Sequence, residues 1–290
     1  MASRLAKILK MQKRILTARR YKLDLSKRTL VMGVLNVTPD SFFDGGQFLR
    51  PSAACKRALQ MEKEGADIID IGAESTRPGS LSVSVDDEIS RVMPVISKLK
   101  GAIKIPISVD TTKYEVASAV LKEGVSIIND ISGLSNDKRL ATLCAEYSAG
   151  LVIMHIKGKP RTMQKNPVYK NLLSEISKHI RESIKIARDA GVKKESIIID
   201  PGIGFGKRLK HNLEIIRNIG YFKKIGFPLM MGLSRKSFIG TLSALGVEDR
   251  LAPTIAVNAI AAYNGADILR VHDVKEAVAA VKIACSIKSD

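Results

Sequence analysis

The sequence predicts an α/β protein folded as a single (β/α)8 TIM barrel, and three observations carry that reading. Eight short runs rich in Val, Ile and Leu recur along the chain with amphipathic helical stretches between them, and strict βα alternation leaves only a doubly wound sheet or a barrel. Eight units favour the barrel, in which each of eight strands is followed by a helix. No linker rich in Pro, Gly or Ser and no abrupt change of composition divides the 290 residues. Residues 21–290 therefore read as one domain, preceded by a basic extension over residues 1–20 that is expected to be mobile.

In chain order the strands are expected at Leu30 to Val37, Asp67 to Ile71, Ile105 to Val109, Ser126 to Asn129, Leu151 to Met154, Ser196 to Ile199, Leu229 to Met231 and Asp267 to Val271. Their near-continuous apolar character suits parallel strands covered on both faces. Between them, Ile89, Val92, Met93, Ile96 and Leu99 recur with helical period after a Ser84…Asp87 pair spaced like a capping box. Leu173, Ile176, Ile180, Ile184 and Ala187 mark another helix. Val274, Ala277, Val278, Val281 and Cys285 mark a last one, entered through Asp273.

Composition narrows the function classes. With 45% hydrophobic residues, 21 Gly and 10 Pro the chain can bury a sizeable core. No apolar run approaches the roughly 18 residues of a membrane span, so no membrane partner is expected. Cys55, Cys144 and Cys285 are too far apart for a disulfide framework or a zinc pair, which suggests a reducing, cytoplasmic setting. Net charge is 47 − 29 = +18, but seven basic side chains and no acid fall in residues 1–20, which leaves +11 for the body. That extension places Leu5, Ile8, Leu9, Ile15 and Leu16 along one helical face and resembles an organelle presequence, although Ser is scarce and no cleavage site is marked. Trp is absent and aromatics make up 4%, too few stacking platforms for a nucleic-acid surface.

Function is read from the residues at the C-terminal ends of the strands. Each candidate strand ends in a polar cluster: Asn36 to Asp40, Glu74 to Gly79, Asp110-Thr111, Asn129-Asp130, His155, Asp200 to Lys207, Ser234-Arg235-Lys236 and Arg270 to Asp273. In a barrel these converge on the C-terminal rim, where such folds place their chemistry. Asp and Asn there also cap helices, an alternative open for Asp130 and Asp273. The glycines at 202–206 fit neither nucleotide motif. A P-loop would need Gly at 201 (Pro201) and Ser or Thr at 208 (Arg208), and a dinucleotide fingerprint would need Gly at 207 (Lys207). They suit a tight turn that approaches a flat ligand.

The segments Met32 to Phe42, Glu74-Ser75-Thr76-Arg77-Pro78-Gly79, Ser108-Val109-Asp110-Thr111, Asp200 to Lys207, Ser234 to Gly240 and Arg270-Val271-His272-Asp273-Val274 resemble, in order and spacing, the motif series of the dihydropteroate synthase family. The resemblance covers residues 29–290. It implies a (β/α)8 barrel, usually dimeric, that condenses 6-hydroxymethyl-7,8-dihydropterin pyrophosphate with para-aminobenzoate to give 7,8-dihydropteroate and pyrophosphate. Phe43, Ala73 and Ile156-Lys157 depart from the family's usual residues, and none of these replaces a binding residue.

The resemblance assigns roles position by position. Asp200 would accept the guanidine-like edge of the pterin, Asp110 and Asn129 the neighbouring ring nitrogens, and Lys236 would donate to the ring's acceptor side. Arg270 and His272 would hold the pyrophosphate with Asn36 and Thr76, together with Mg²⁺ ligated by the Asn36 amide and otherwise by phosphate and water. Phe42, Thr76, Arg77 and Pro78 would close over the aminobenzoate, with Phe205, Lys236 and Ser237 at its side. Asp110, Lys236, Arg270 and His272 form the catalytic set. His155 reads as a packed histidine rather than a base. No Ser/His or Cys/His pair suggests a covalent intermediate, so an SN1-like displacement is expected. The rival readings are a pterin-dependent methyltransferase, which would handle no pyrophosphate, and a catalytically silent pterin-binding paralogue.

Overall fold

In the computed structural model, residues 14–38, 51–76 and 79–288 are described. Eight parallel strands form one sheet: β3 (Leu30–Asn36), β4 (Ile68–Gly72), β5 (Ile107–Asp110), β6 (Ile127–Asp130), β7 (Gly150–Met154), β8 (Ile197–Asp200), β9 (Met230–Gly232) and β10 (Ile268–Val271). Their order is β8-β7-β6-β5-β4-β3-β10-β9. A parallel bridge between Ile199 and Leu229, with the Ile199 N–H donating to Pro228 O at 2.8 Å, closes the sheet into the expected barrel.

The helices follow their strands. They are α1 (Pro51–Glu64), α2 (Val85–Leu99), α3 (Tyr114–Lys122), α4 (Arg139–Glu146), α5 (Leu172–Asp189), α6 (Leu209–Arg217), α7 (Ile219–Lys223), α8 (Ser237–Ser243), α9 (Leu251–Tyr263) and α10 (Val274–Lys288). Ser84 caps α2 as its spacing predicts: its Oγ accepts from Asp87 N (3.1 Å) and donates to the Asp87 carboxylate (2.6 Å). Asp130 and Asp273 do other work. The Asp130 carboxylate accepts from Ser132 N and Leu134 N at 2.8 and 2.6 Å and fixes a turn. Asp273 pairs with Arg235.

Strand parity explains where the site lies. Successive side chains alternate faces, so Ile68, Ile127, Val152, Ile198, Met230 and Ile268 point into the lower barrel and form one fully enclosed apolar cluster. Two residues further along the same inward face stand Asp70, Asn129, Met154, Asp200, Gly232 and Arg270. The lower half of the barrel is a packed core and the upper half a polar pit. A larger apolar layer, including Val31, Ile69, Val109 and Ile153, fills the space between strands and helices.

Residues 14–20 depart from the expectation of a mobile extension, and Ile15 and Leu16 from a helical face. They belong to an antiparallel hairpin, β1 (Ile15–Ala18) and β2 (Tyr21–Asp24), turned at Arg19 with φ 53°. Leu16 and Ala18 are wholly buried against the lower barrel cluster. Arg14 donates to Asp267 at 2.8 Å, and the Arg19 guanidinium donates to Leu121 O and Val125 O. The alternating burial of β1 is a strand period of two, which a short basic segment concealed. Leu5, Ile8 and Leu9 lie outside the described residues.

If the hairpin is part of the core, Leu16→Ala costs about 2–5 kcal/mol of stability. Urea unfolding measures it, and a loss near zero would show that the barrel floor stands without the hairpin.

Candidate active site

The pit is organised around Arg270. Its side chain rises from β10; Nε donates to Asp70 Oδ2 at 2.6 Å, and Nη2 donates to Asp110 Oδ2 at 3.0 Å. Asn129 Nδ2 donates to the same Asp70 oxygen at 3.0 Å. Four strands thereby contribute to one network, and neither arginine bond uses Nη1. Asp70 is fully buried, and its second oxygen has no hydrogen-bond partner among the described residues. Asp110 caps no helix: α3 begins at a Lys113 cap.

Across the pit stands Asp200 at the end of β8. Its Oδ1 accepts from Gly202 N at 2.7 Å, which ties the carboxylate to the glycine turn. Two of those glycines are required by geometry. Gly202 (φ 71°) and Gly206 (φ 63°) lie in left-handed backbone, and a Cβ on either would collide with the carbonyl of His155 or Lys157. The Lys236 ammonium donates to Ile203 O, at the crest of the turn, and sits 4.8 Å above the centre of the Phe205 ring. Gly232 leaves the floor open between Lys236, Asp200 and the base of Arg270.

Burial sets the protonation behaviour. Desolvation pushes Asp110 up to about 7 against the lowering field of Arg270, with Asp70, Glu88 and Asp130 adding to the rise. Desolvation pulls Lys236 down to about 8, opposed by Asp200. Burial also raises Asp200, which Lys236 opposes. His155 is neutral: burial and the nearby Lys207 charge push it down to about 2. It packs edge-on against His179, as a structural histidine does.

Arg270 on β10 and His272, just beyond its end, take different partners. Arg270 reaches the carboxylates, whereas His272 Nδ1 lies 3.0 Å from Ser234 Oγ, which also accepts from His272 N at 3.3 Å. Arg235, between Ser234 and Lys236, adopts φ 55°, a costly conformation for a side-chain-bearing residue. Two bonds to the Asp273 carboxylate, at 2.9 and 2.8 Å, and one from its N–H to Thr254 Oγ1 hold it there.

Asn36, Gly72 and Asp110 are in register on β3, β4 and β5. A Cβ on Gly72 would lie 3.6 Å from Asn36 Oδ1 and 3.8 Å from Asp110 Cβ, so the Asn36 amide oxygen stands beside the pit. Among the described residues no three His, Cys, Asp or Glu side chains converge as a metal site. A single hard amide oxygen fits Mg²⁺ only where substrate and water supply the other ligands. Thr76 lines a cavity of about 750 Å³ that Asp110 also borders, beside the pit. Ser237 is exposed at the start of α8. Phe42, Arg77 and Pro78 lie outside the described residues.

Sequence reasoning missed two contributors. Asp70 sits inside a strand rather than after one; its signal was an acid interrupting the run Ile68-Ile69-Asp70-Ile71. Lys207 fails the P-loop pattern but is buried beneath the glycine turn, where burial pushes its pKa well down and its Nζ donates to Phe205 O at 2.9 Å and lies 2.9 Å from His155 Nδ1.

A (β/α)8 barrel whose pit sets carboxylates, an amide and two cations around a glycine-floored space is built to take a flat polar heterocycle with an anionic group. Comparison with known proteins makes this specific. The family model described as pterin binding enzyme matches residues 32–272. A dihydropteroate synthase of Clostridium beijerinckii is 46% identical over 261 residues, covering 90% of this chain and 94% of that protein. The dihydropteroate synthase of Clostridium difficile, solved in the presence of pteroic acid, is 44% identical with a TM-score of 0.86, covering 91% and 98% of the two chains. That of Xanthomonas albilineans, solved with 4-aminobenzoic acid, is 38% identical with a TM-score of 0.89, covering 96% and 100%. The chain belongs to the pterin-binding enzymes and, within them, to the dihydropteroate synthases. Its reaction is the transfer of a dihydropterin-methyl group from pyrophosphate to para-aminobenzoate.

The two perturbed groups set a pH window. With Asp110 needed as carboxylate and Lys236 as ammonium, kcat/KM for the pterin pyrophosphate should rise through about pH 7 and fall through about pH 8. Lys236→Arg should remove the alkaline limb while the acid limb stays. A profile of the variant that keeps its alkaline fall would take Lys236 out of that role.

Proposed function

We propose that pyrophosphate leaves before the aminobenzoate nitrogen bonds to the methylene carbon, and that the Arg270 bridge is the observation that carries this reading. The nucleophile is an aromatic amine, neutral at pH 7, so base catalysis is not the demanding step. Departure of pyrophosphate builds positive charge on the pterin and negative charge on the leaving group. Preorganised charges at both ends lower that barrier. Asp110 faces the pterin side as a carboxylate, Asp200 accepts the ring's donor edge, Asn129 meets a neighbouring ring nitrogen, and Lys236 donates to the acceptor side. Arg270 and His272 hold the pyrophosphate, and Thr76 and Asn36 flank it. Because two carboxylates hold the Arg270 Nε and Nη2, the guanidinium is oriented before substrate arrives.

A Mg²⁺ ion on the Asn36 oxygen would neutralise charge on the leaving pyrophosphate. The aminobenzoate would lie between Phe205, Lys236 and Ser237 on one side and Thr76, Arg77, Pro78 and Phe42 on the other. A homodimer is supported by the exposed apolar side chains Ile260 and Tyr263 on α9 and Ile283 and Ile287 on α10, helices that pack on each other. A cytoplasmic setting is supported by the free cysteines and by the finding that no helix among the described residues is long and apolar enough to cross a membrane.

Deuterium at the reactive methylene tests the order of bond changes. A clearly normal secondary isotope effect on kcat/KM is expected, together with an Arg270→Ala variant whose pyrophosphate affinity falls by about 2–5 kcal/mol. An isotope effect near unity would favour concerted displacement, and unchanged pyrophosphate affinity would remove Arg270 from the leaving-group site.

A further inference from the structure

We propose that Lys113 is a positioning residue for aminobenzoate binding. It latches the loop after β4 so that Thr76 is presented to the second substrate. The inference rests on the assignment of Thr76 to the aminobenzoate site. Lys113 lies beyond the polar end of β5, and its backbone is fixed as the cap of α3, with its N–H donating to Thr111 Oγ1 at 3.2 Å. Its ammonium donates to the Glu74 carboxylate, two residues before Thr76, and to Glu88 Oε2 on α2 at 2.5 Å. One cation thus joins the loop after β4, the helix that comes next and the loop after β5.

The surroundings make this a specific latch rather than a surface pair. Glu88 is 1% exposed, and its second oxygen has no hydrogen-bond partner among the described residues. A buried carboxylate in that state depends on its one cationic partner. Both carboxylates raise the Lys113 pKa against desolvation, so the ammonium stays charged. One helical turn after Glu88, the Arg91 guanidinium donates to Ala73 O at 3.0 Å. Residues 73 and 74 are therefore both tied to α2, one directly and one through Lys113. Thr76, Glu74, Glu88, Lys113 and Asp110 border the same cavity, so the latch stands beside the reacting groups without being one of them. Releasing Lys113 frees the loop just ahead of Thr76, while the Asp70–Arg270–Asp110 network keeps its partners.

The test compares Lys113→Met, Lys113→Arg and Thr76→Ala in the full-length enzyme. For Lys113→Met, the KM for para-aminobenzoate should rise about tenfold, with kcat changed much less and pterin affinity by calorimetry unchanged, because the loss is one of placement. Lys113→Arg should restore most of it. If Lys113→Met folds poorly because two carboxylates lose their cation, Lys113→Met/Glu88→Gln removes the buried charge and should show the same KM effect. A variant that loses thermal stability while its aminobenzoate KM stays at the parent value would make Lys113 merely structural and overturn the latch. If Thr76→Ala raises KM and Lys113→Met does not, the latch alone fails. If Thr76→Ala leaves KM unchanged, the placement of aminobenzoate against Thr76 fails, and the latch with it.

Discussion

The guanidinium of Arg270, held between Asp70 and Asp110 inside the barrel, is the constraint on which the rest of the site depends. A cation this deep is tolerable only when carboxylates meet it with good geometry, and a buried acid such as Asp70 needs the same in return. The barrel meets both requirements by placing the three side chains on the same inward face of β10, β4 and β5, one layer above the apolar floor. The same layer brings Asn129 to Asp70 and Gly232 beneath Lys236. Side-chain alternation along parallel strands is what converts eight hydrophobic runs into a pit with acids and bases at one level.

Two kinds of scaffolding support that pit. The side formed by β8 and β9 is rigid: Gly202 and Gly206 press the turn against the backbone of residues 155 and 157, and Lys207 binds it from below. That rigidity fixes Ile203 O and Phe205, the two partners of Lys236. The side formed by β4 and β5 is held by ion pairs, through Lys113, Glu74 and Glu88. A fixed wall suits the ring that must be anchored. The ion-paired wall would hold Thr76 in place for the second substrate.

The eight strands were legible within one or two residues, because runs such as Ile197-Ile198-Ile199 and Leu151-Val152-Ile153 admit little else between amphipathic helices. The rim residues Asp110, Asn129, Asp200 and Lys236 were legible because a barrel sends strand ends to one face. Partnership was not legible. Arg270 reads from sequence as a pyrophosphate ligand, and only the fold shows it already bonded to Asp70 across 200 positions of chain. Asp70 was not legible as a site residue because it lies inside its strand rather than at the end, although a lone acid in an apolar strand asks for a buried partner. The β1–β2 hairpin escaped because strands of four residues leave too short a period to outweigh a basic, helix-like context.

In the proposed reaction Asp70 acts through Arg270, by fixing the guanidinium rather than by touching substrate. A double-mutant cycle on kcat/KM with Asp70→Asn, Arg270→Lys and the pair measures this directly. Strong non-additivity is expected, with Asp70→Asn costing the parent enzyme at least about tenfold and the Arg270→Lys enzyme little more, because the oriented fork it supports is already gone. Fully additive losses would contradict it, since Asp70 would then contribute independently of the arginine.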